Sequence, residues 1–265
     1  MRGTITGRIV AKLRKAIKWQ LLRASGHLTS AYYEVSERRE FMRKAFTALS
    51  FNGISGDYLE FGSWSGNTFT LAYQQSRRVG HQCKLWSFDS FEGLPDQAGA
   101  EDEHPHWQKA AMSMSLQQFN DICRHHNIPV SDYQVVPGYY TDTIGNESNV
   151  GVFPGNVALA YIDCDMYSST KIVLSFLASR LKHGMIIAFD DYYCFSKNTL
   201  AGERKAFLEF TTSNCRFNFT TYVQFGWHGM SFIVEDRSLL PENDNAHVLT
   251  GAECKVSAEE RLEPR

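Results

Sequence analysis

The chain of 265 residues lacks any apolar run of the ~18–20 residues needed to cross a membrane. It also lacks the 7–15-residue apolar core of a secretory signal near its N-terminus. Cys-x-x-Cys spacing is absent: Cys83, Cys123, Cys164, Cys194, Cys215 and Cys254 are scattered. That excludes a zinc knuckle and argues against a secreted disulfide framework, so reduced thiols in a cytoplasmic protein are expected. There is no excess of positive charge. The net charge of −2 argues against nucleic-acid binding. Repeats and low-complexity stretches are missing, and only 7 prolines interrupt the chain. The G-x-G-x-x-G signature of dinucleotide enzymes does not occur in the glycine-rich turn described below.

What is there is globular: 43% hydrophobic and 21% charged residues. The small net charge hides an asymmetry. Residues 1–33 carry Arg2, Arg8, Lys12, Arg14, Lys15, Lys18 and Arg23 and no acid, which leaves an acidic body. Within this arm Ile9, Val10, Leu13, Ile17 and Leu21 share one helical face, with basic residues on the other. Such a helix docks on its own body, on a second subunit of a homo-oligomer, or peripherally on an anionic membrane through residues 1–30. Tyr32 and Tyr33 join the arm to the body. Three segments are expected: an arm with lid helices (1–50), a core domain (51–235) and a polar tail (236–265).

From Asp57 to Val234 short apolar runs alternate with helical patterns, the mark of a parallel sheet covered on both faces. Strands are predicted at 57–61, 84–88, 133–137, 157–162 and 185–189. Helices are predicted at 34–50, 66–77, 115–126, 168–182 and 202–213. Ser115 and Gln118 have capping-box spacing, and Gly184 follows the fourth helix as a C-terminal stop. Runs at 217–223 and 229–234 predict a terminal hairpin and an antiparallel edge. Residues 92–113 form a polar insert without periodicity, the profile of a substrate loop or lid.

Three motifs carry chemistry. In the first, an apolar strand ends in Glu60 and passes through Gly62 and Gly66 into a helix. Glycines there allow a tight turn and close backbone approach to a ligand. A carboxylate at that tip repels a pyrophosphate but suits a cationic ligand such as the amino group and sulfonium of S-adenosylmethionine. A ligand-free β–α turn is the plain alternative. In the second, Asp89 ends the next strand, where an acid meets ribose hydroxyls in parallel-sheet nucleotide sites. Ser90 and Phe91 follow, placed for ribose and adenine. In the third, Asp163 and Asp165 end one strand, and Asp190 and Asp191 end the next. Clustered carboxylates repel one another unless a cation neutralises them, and hard oxygen donors favour Mg²⁺. Asp165 and Asp191 also read as helix or turn caps. His228, before the last strand, reads mainly as a packing residue.

Five ordered blocks make the sequence resemble the macrocin O-methyltransferase family: YLEFGSWSG (58–66), FDSFEGLPD (88–96), VPGYYTDT (136–143), YIDCDMYSST (161–170) and GMIIAFDDY (184–192). The resemblance implies a Rossmann-like class I methyltransferase fold with strand order 3-2-1-4-5-7-6 and strand 7 antiparallel. It implies transfer of a methyl from S-adenosylmethionine to a sugar hydroxyl of a small-molecule or glycan acceptor. Glu60, Gly62, Ser63, Gly66 and Thr68 would then line the methionine end. Asp89, Ser90 and Phe91 would hold ribose and adenine, with Gly138 and Tyr139 bordering the adenine. Asp163, Asp190 and Asp191 would hold Mg²⁺, and Asp163, beside metal and cofactor, would be the general base. A nicotinamide oxidoreductase on a similar sheet, or a non-catalytic nucleotide-fold protein, are the competing readings. The carboxylate cluster counts against both.

Overall fold

The structure, a computed structural model, describes residues 27–145 and 153–239. Seven strands form one sheet in the order β3-β2-β1-β4-β5-β7-β6. They are β1 (Asp57–Phe61), β2 (Leu85–Asp89), β3 (Tyr133–Pro137), β4 (Val157–Ile162), β5 (Ile186–Phe189), β6 (Phe217–Phe225) and β7 (Gly229–Asp236). β1 to β5 run parallel, and β7 is antiparallel to both β5 and β6. The expected strand order and terminal hairpin are both present. The helices are α1 (His27–Phe51), α2 (Asn67–Arg78), α3 (Leu116–His125), α4 (Tyr167–Ala178) and α5 (Gly202–Ser213).

β4 and β5 are apolar at every position because both faces are covered. Successive residues supply opposite cores. Tyr161 and Ala188 face the layer of α1, α2 and α3, while Ile162 and Phe189 face that of α4 and α5. Phe41, Met42, Ala45, Phe46 and Leu49 of α1 are fully buried, so this helix is part of the core. Phe41 stacks on Phe225 of β6 at 4.4 Å between centroids. No described helix is long and apolar enough to cross a membrane.

Several bounds differ from expectation. α4 stops at Ala178, not at 182, because Arg180 folds back to the carbonyls of Phe176 and Pro154. Leu181 is still buried, so the apolar period outruns the helix. The Ser115–Gln118 capping box is present. The insert at 92–113 is pinned rather than loose. Asp102 is buried and accepts from the N–H groups of Ala98 and of Ser168 at the start of α4, both at 2.9 Å. Cys83, Cys123, Cys164 and Cys194 are free thiols. The basic arm before residue 27 and the tail after 239 lie outside the described residues.

Candidate active site

The carboxyl ends of β1, β2, β4 and β5 deliver the motif residues to one edge of the sheet. A cavity of about 460 Å³ opens there. Gly62, Asp89, Ser90, Gly138 and Tyr139 line one part, and Asp163, Cys164 and Asp165 line another. Insert residues Gly93, Leu94, Pro95, Asp96 and Ala98, with Lys109 and Met112, add to the wall.

The turn after β1 is built by its glycines. Gly62 has φ +91°, and a Cβ there would lie 1.7 Å from the carbonyl oxygen of Asp163. Only glycine lets β1 and β4 approach so closely. Gly66 is left-handed and caps α2. Asp89 ties the turn down: its two oxygens accept from the N–H groups of Ser63 and Phe91, each at 2.7 Å. Ser63 is buried and accepts from Ser87 Oγ. Thr68 is buried in the first turn of α2. Phe91 does not line the cavity; its ring packs edge-on against Phe119.

Glu60 is buried behind the turn. Tyr58 donates to its Oε2, while Oε1 has no hydrogen-bond partner. Burial pushes its carboxyl up to about 8, against the opposing pull of hydrogen bonds from Tyr58 and Ser63. A buried carboxyl oxygen without a donor is costly. Glu60 itself does not line the cavity; its neighbours Gly62 and Asp89 do.

The acids after β4 and β5 are unequal. Asp190 is neutralised: Arg38 of α1 donates from Nε to Oδ1 at 2.9 Å and from Nη2 to Oδ2 at 2.5 Å. Tyr161 also donates to Oδ1. Burial pushes Asp190 up, but the Arg38 bonds and charge outweigh it and hold the carboxyl below its usual range. Among the described residues neither Asp163 nor Asp165 forms an ion pair, and the charge of Arg38 offsets only part of the rise at Asp163. Burial, then the charges of neighbouring aspartates, push both well up. Asp191 is raised by burial and by Asp190.

Ligand atoms of Asp190, Asp191 and His228 lie within 4.8 Å of one another, a spacing that suits one metal ion. The expected trio was Asp163, Asp190 and Asp191. The structure adds His228 to the pair and places Asp163 on the cavity wall, within reach of their charges. His228 Nδ1 donates to the Asp190 carbonyl at 2.5 Å, so the hairpin turn braces the β5 tip. Sequence reading passed over Arg38, Glu203 and Trp107. Glu203 is buried against both acid loops, and Trp107 is buried beside Asp165. None of the three lies in a strand-tip motif.

A mostly parallel sheet in this order, with an antiparallel β7 and the glycine turn, Asp89, Asp163 and Asp165 on one cavity, is the Rossmann-like fold of class I S-adenosylmethionine-dependent methyltransferases. The chain belongs to the macrocin-O-methyltransferase (TylF) family, which it matches over residues 23–212. It is 29% identical over 149 residues to 8-demethyl-8-(2,3-dimethoxy-alpha-L-rhamnosyl)-tetracenomycin-C 4'-O-methyltransferase of Streptomyces olivaceus, covering 53% of this chain and 54% of that protein. It is 25% identical over 164 residues to demethyldecarbamoylnovobiocin O-methyltransferase of Streptomyces niveus, covering 59% and 60%. The match thus spans little more than half the length of these curated relatives. Among solved structures it resembles the O-methyltransferase NovP, with a TM-score of 0.63, 21% identity and coverage of 76% of this chain and 80% of that one. The calicheamicin methyltransferase CalS11 gives a TM-score of 0.58 at 19% identity, covering 74% and 77%. These two likenesses concern the fold.

Proposed function

We propose that the chain is an S-adenosylmethionine-dependent O-methyltransferase that acts on a sugar hydroxyl of a glycosylated small molecule or glycan, assisted by Mg²⁺. The carrying observation is the single cavity that joins the glycine turn and Asp89 to Asp163 and Asp165. The relatives' names support the acceptor class, since one describes a rhamnosyl compound.

Both groups fit the residues present. The unpartnered Oε1 of Glu60 suits the amino group of the cofactor, and Gly62 lines the cavity next to it. The acids form a hard oxygen set in which Arg38 pairs directly with Asp190. Asp163, Asp190 and Asp191 would hold the ion, with His228 beside them. When bound, S-adenosylmethionine supplies an electrophilic methyl and Mg²⁺ acidifies and orients the hydroxyl. The protein's residues then do the rest. Asp89 and the turn hold the ribose end, with Ser90, Gly138 and Tyr139 around it. Asp163 takes the hydroxyl proton on a carboxylate oxygen. The insert, pinned by Asp102, limits water and fixes the acceptor oxygen in line. Asp165 competes for the base role, because it too lines the cavity and is held at φ +60°. Parallel substitution of the two aspartates separates the roles.

S-adenosylhomocysteine should bind and NAD should not, as measured by calorimetry; a tighter NAD complex would overturn the assignment. Asp89→Ala should weaken S-adenosylhomocysteine by about 1–3 kcal/mol through lost charge-assisted hydrogen bonds.

Binding should also release a proton. With its pKa at about 8, Glu60 is mostly protonated at pH 7. Its folded value lies above the unfolded one of about 4.3, so the free protein loses stability as pH rises between the two. An ammonium group against Oε1 favours the carboxylate. Titrations at pH 7 in buffers of different ionisation enthalpy should show about one proton released per site. Glu60→Gln should show none, and equal release by both proteins would place the proton elsewhere.

A further inference from the structure

Glu203 stands in the first turn of α5 and is completely buried. Its side chain leaves α5 and bridges two other elements. Oε1 accepts from the Cys164 N–H at 3.1 Å, and Oε2 accepts from the Asp191 N–H at 2.9 Å. Cys164 lies between Asp163 and Asp165, and Asp191 follows Asp190. One carboxylate therefore spans the acid loops that follow β4 and β5.

The surroundings make this span rigid. At Gly202, φ is +60°, and a Cβ would lie 2.7 Å from Trp107 Cη2 and 2.9 Å from the Asp165 carbonyl oxygen. The start of α5 is thus wedged between the insert and the β4 loop. Two N–H donors facing each other need a group that accepts at both ends. A carboxylate does so. An amide accepts at one end only and turns its own N–H₂ toward the second donor. Burial and the charges of Asp191 and Asp165 both disfavour a negative charge on this carboxyl.

We propose that Glu203 is a positioning residue that sets the separation of the β4 and β5 acid loops, and through it the affinity of the site for a divalent cation. This rests on the reading that the strand-tip acids hold such an ion. Groups that orient metal ligands typically change affinity by about 10–100-fold when replaced.

The test uses Mn²⁺ as probe on the full chain, with free ion read by electron paramagnetic resonance. S-adenosylhomocysteine affinity and thermal melting are measured alongside. Glu203→Gln keeps the size but loses one acceptor. Glu203→Asp keeps the charge but is too short to reach both loops. Both should weaken Mn²⁺ by about tenfold or more, with S-adenosylhomocysteine affinity within about twofold, because its turn is tied by Asp89 instead. Unchanged Mn²⁺ affinity in the two variants, with binding intact in the parent, overturns the inference alone. A parent that binds no Mn²⁺ overturns it together with the cation reading. Variants that lose Mn²⁺, S-adenosylhomocysteine and melting temperature in step also overturn it, since Glu203 would then be a structural brace only.

Discussion

Asp163→Asn is expected to lower turnover by about a hundredfold or more while leaving S-adenosylhomocysteine affinity nearly unchanged. Asparagine keeps the shape but removes the charge and the basic oxygen. The main chain should not move, since the Asp163 N–H stays bonded to Phe61 O at 2.8 Å. The pH profile gives a second reading. Burial and the charges of Asp190 and Asp191 hold the Asp163 proton well above the ordinary carboxyl range. Activity should therefore rise with pH as that proton leaves, and a divalent cation should move the rise to lower pH because positive charge favours the carboxylate. Single-turnover rates for Asp163→Asn and Asp165→Asn, with Mg²⁺ and with excess chelator, check this. Full activity in chelator would end the metal role. A larger loss in Asp165→Asn, with Asp163→Asn retaining turnover, would transfer the base to Asp165.

Most of the architecture was legible because its signals are local. Each apolar run followed by a helical period marks a β–α unit, and two adjacent β runs mark the hairpin. The strand-tip residues were legible for the same reason. Asp89, Asp163 and Asp190 each close an apolar run, where an acid needs a purpose. The residues that order the site were not. Arg38 lies in Glu37-Arg-Arg-Glu40, four charged residues that look alike until the packing of α1 turns one of them toward Asp190. Glu203 lies in Gly202-Glu-Arg-Lys205 and reads as a solvated first turn, yet it is wholly buried. Trp107 sits in an insert without periodicity, so nothing in its neighbours shows that it packs over Gly202. Phe91 shows the converse error. Its place after Asp89 pointed to the ligand, but a left-handed backbone at φ +58° turns it into the core beside Phe119.

Arg38→Met should destabilise the protein by about 3–5 kcal/mol at neutral pH, because it leaves Asp190 buried without its cation. The side chains are 21% and 4% exposed, so solvent screens the pair little. In a protein of this size that loss corresponds to a fall in melting temperature on the order of 10 °C. The sign of the pH dependence follows from Asp190. In the parent its pKa is depressed, so its contribution is present above the unfolded value of ~3.9 and is lost as pH falls through the folded one. Without Arg38, burial and Asp163 dominate and push the same carboxyl upward. The variant then carries a penalty that grows as pH rises above ~3.9. The gap between the two proteins should therefore be widest near neutral pH and narrow near pH 4. Mg²⁺ should restore part of it, because a cation among Asp190, Asp191 and Asp163 replaces the missing charge. Thermal melts of both proteins at the two pH values, with and without Mg²⁺, measure this. An equal gap at both would mean that Arg38 acts through packing of α1 and not through its charge on Asp190.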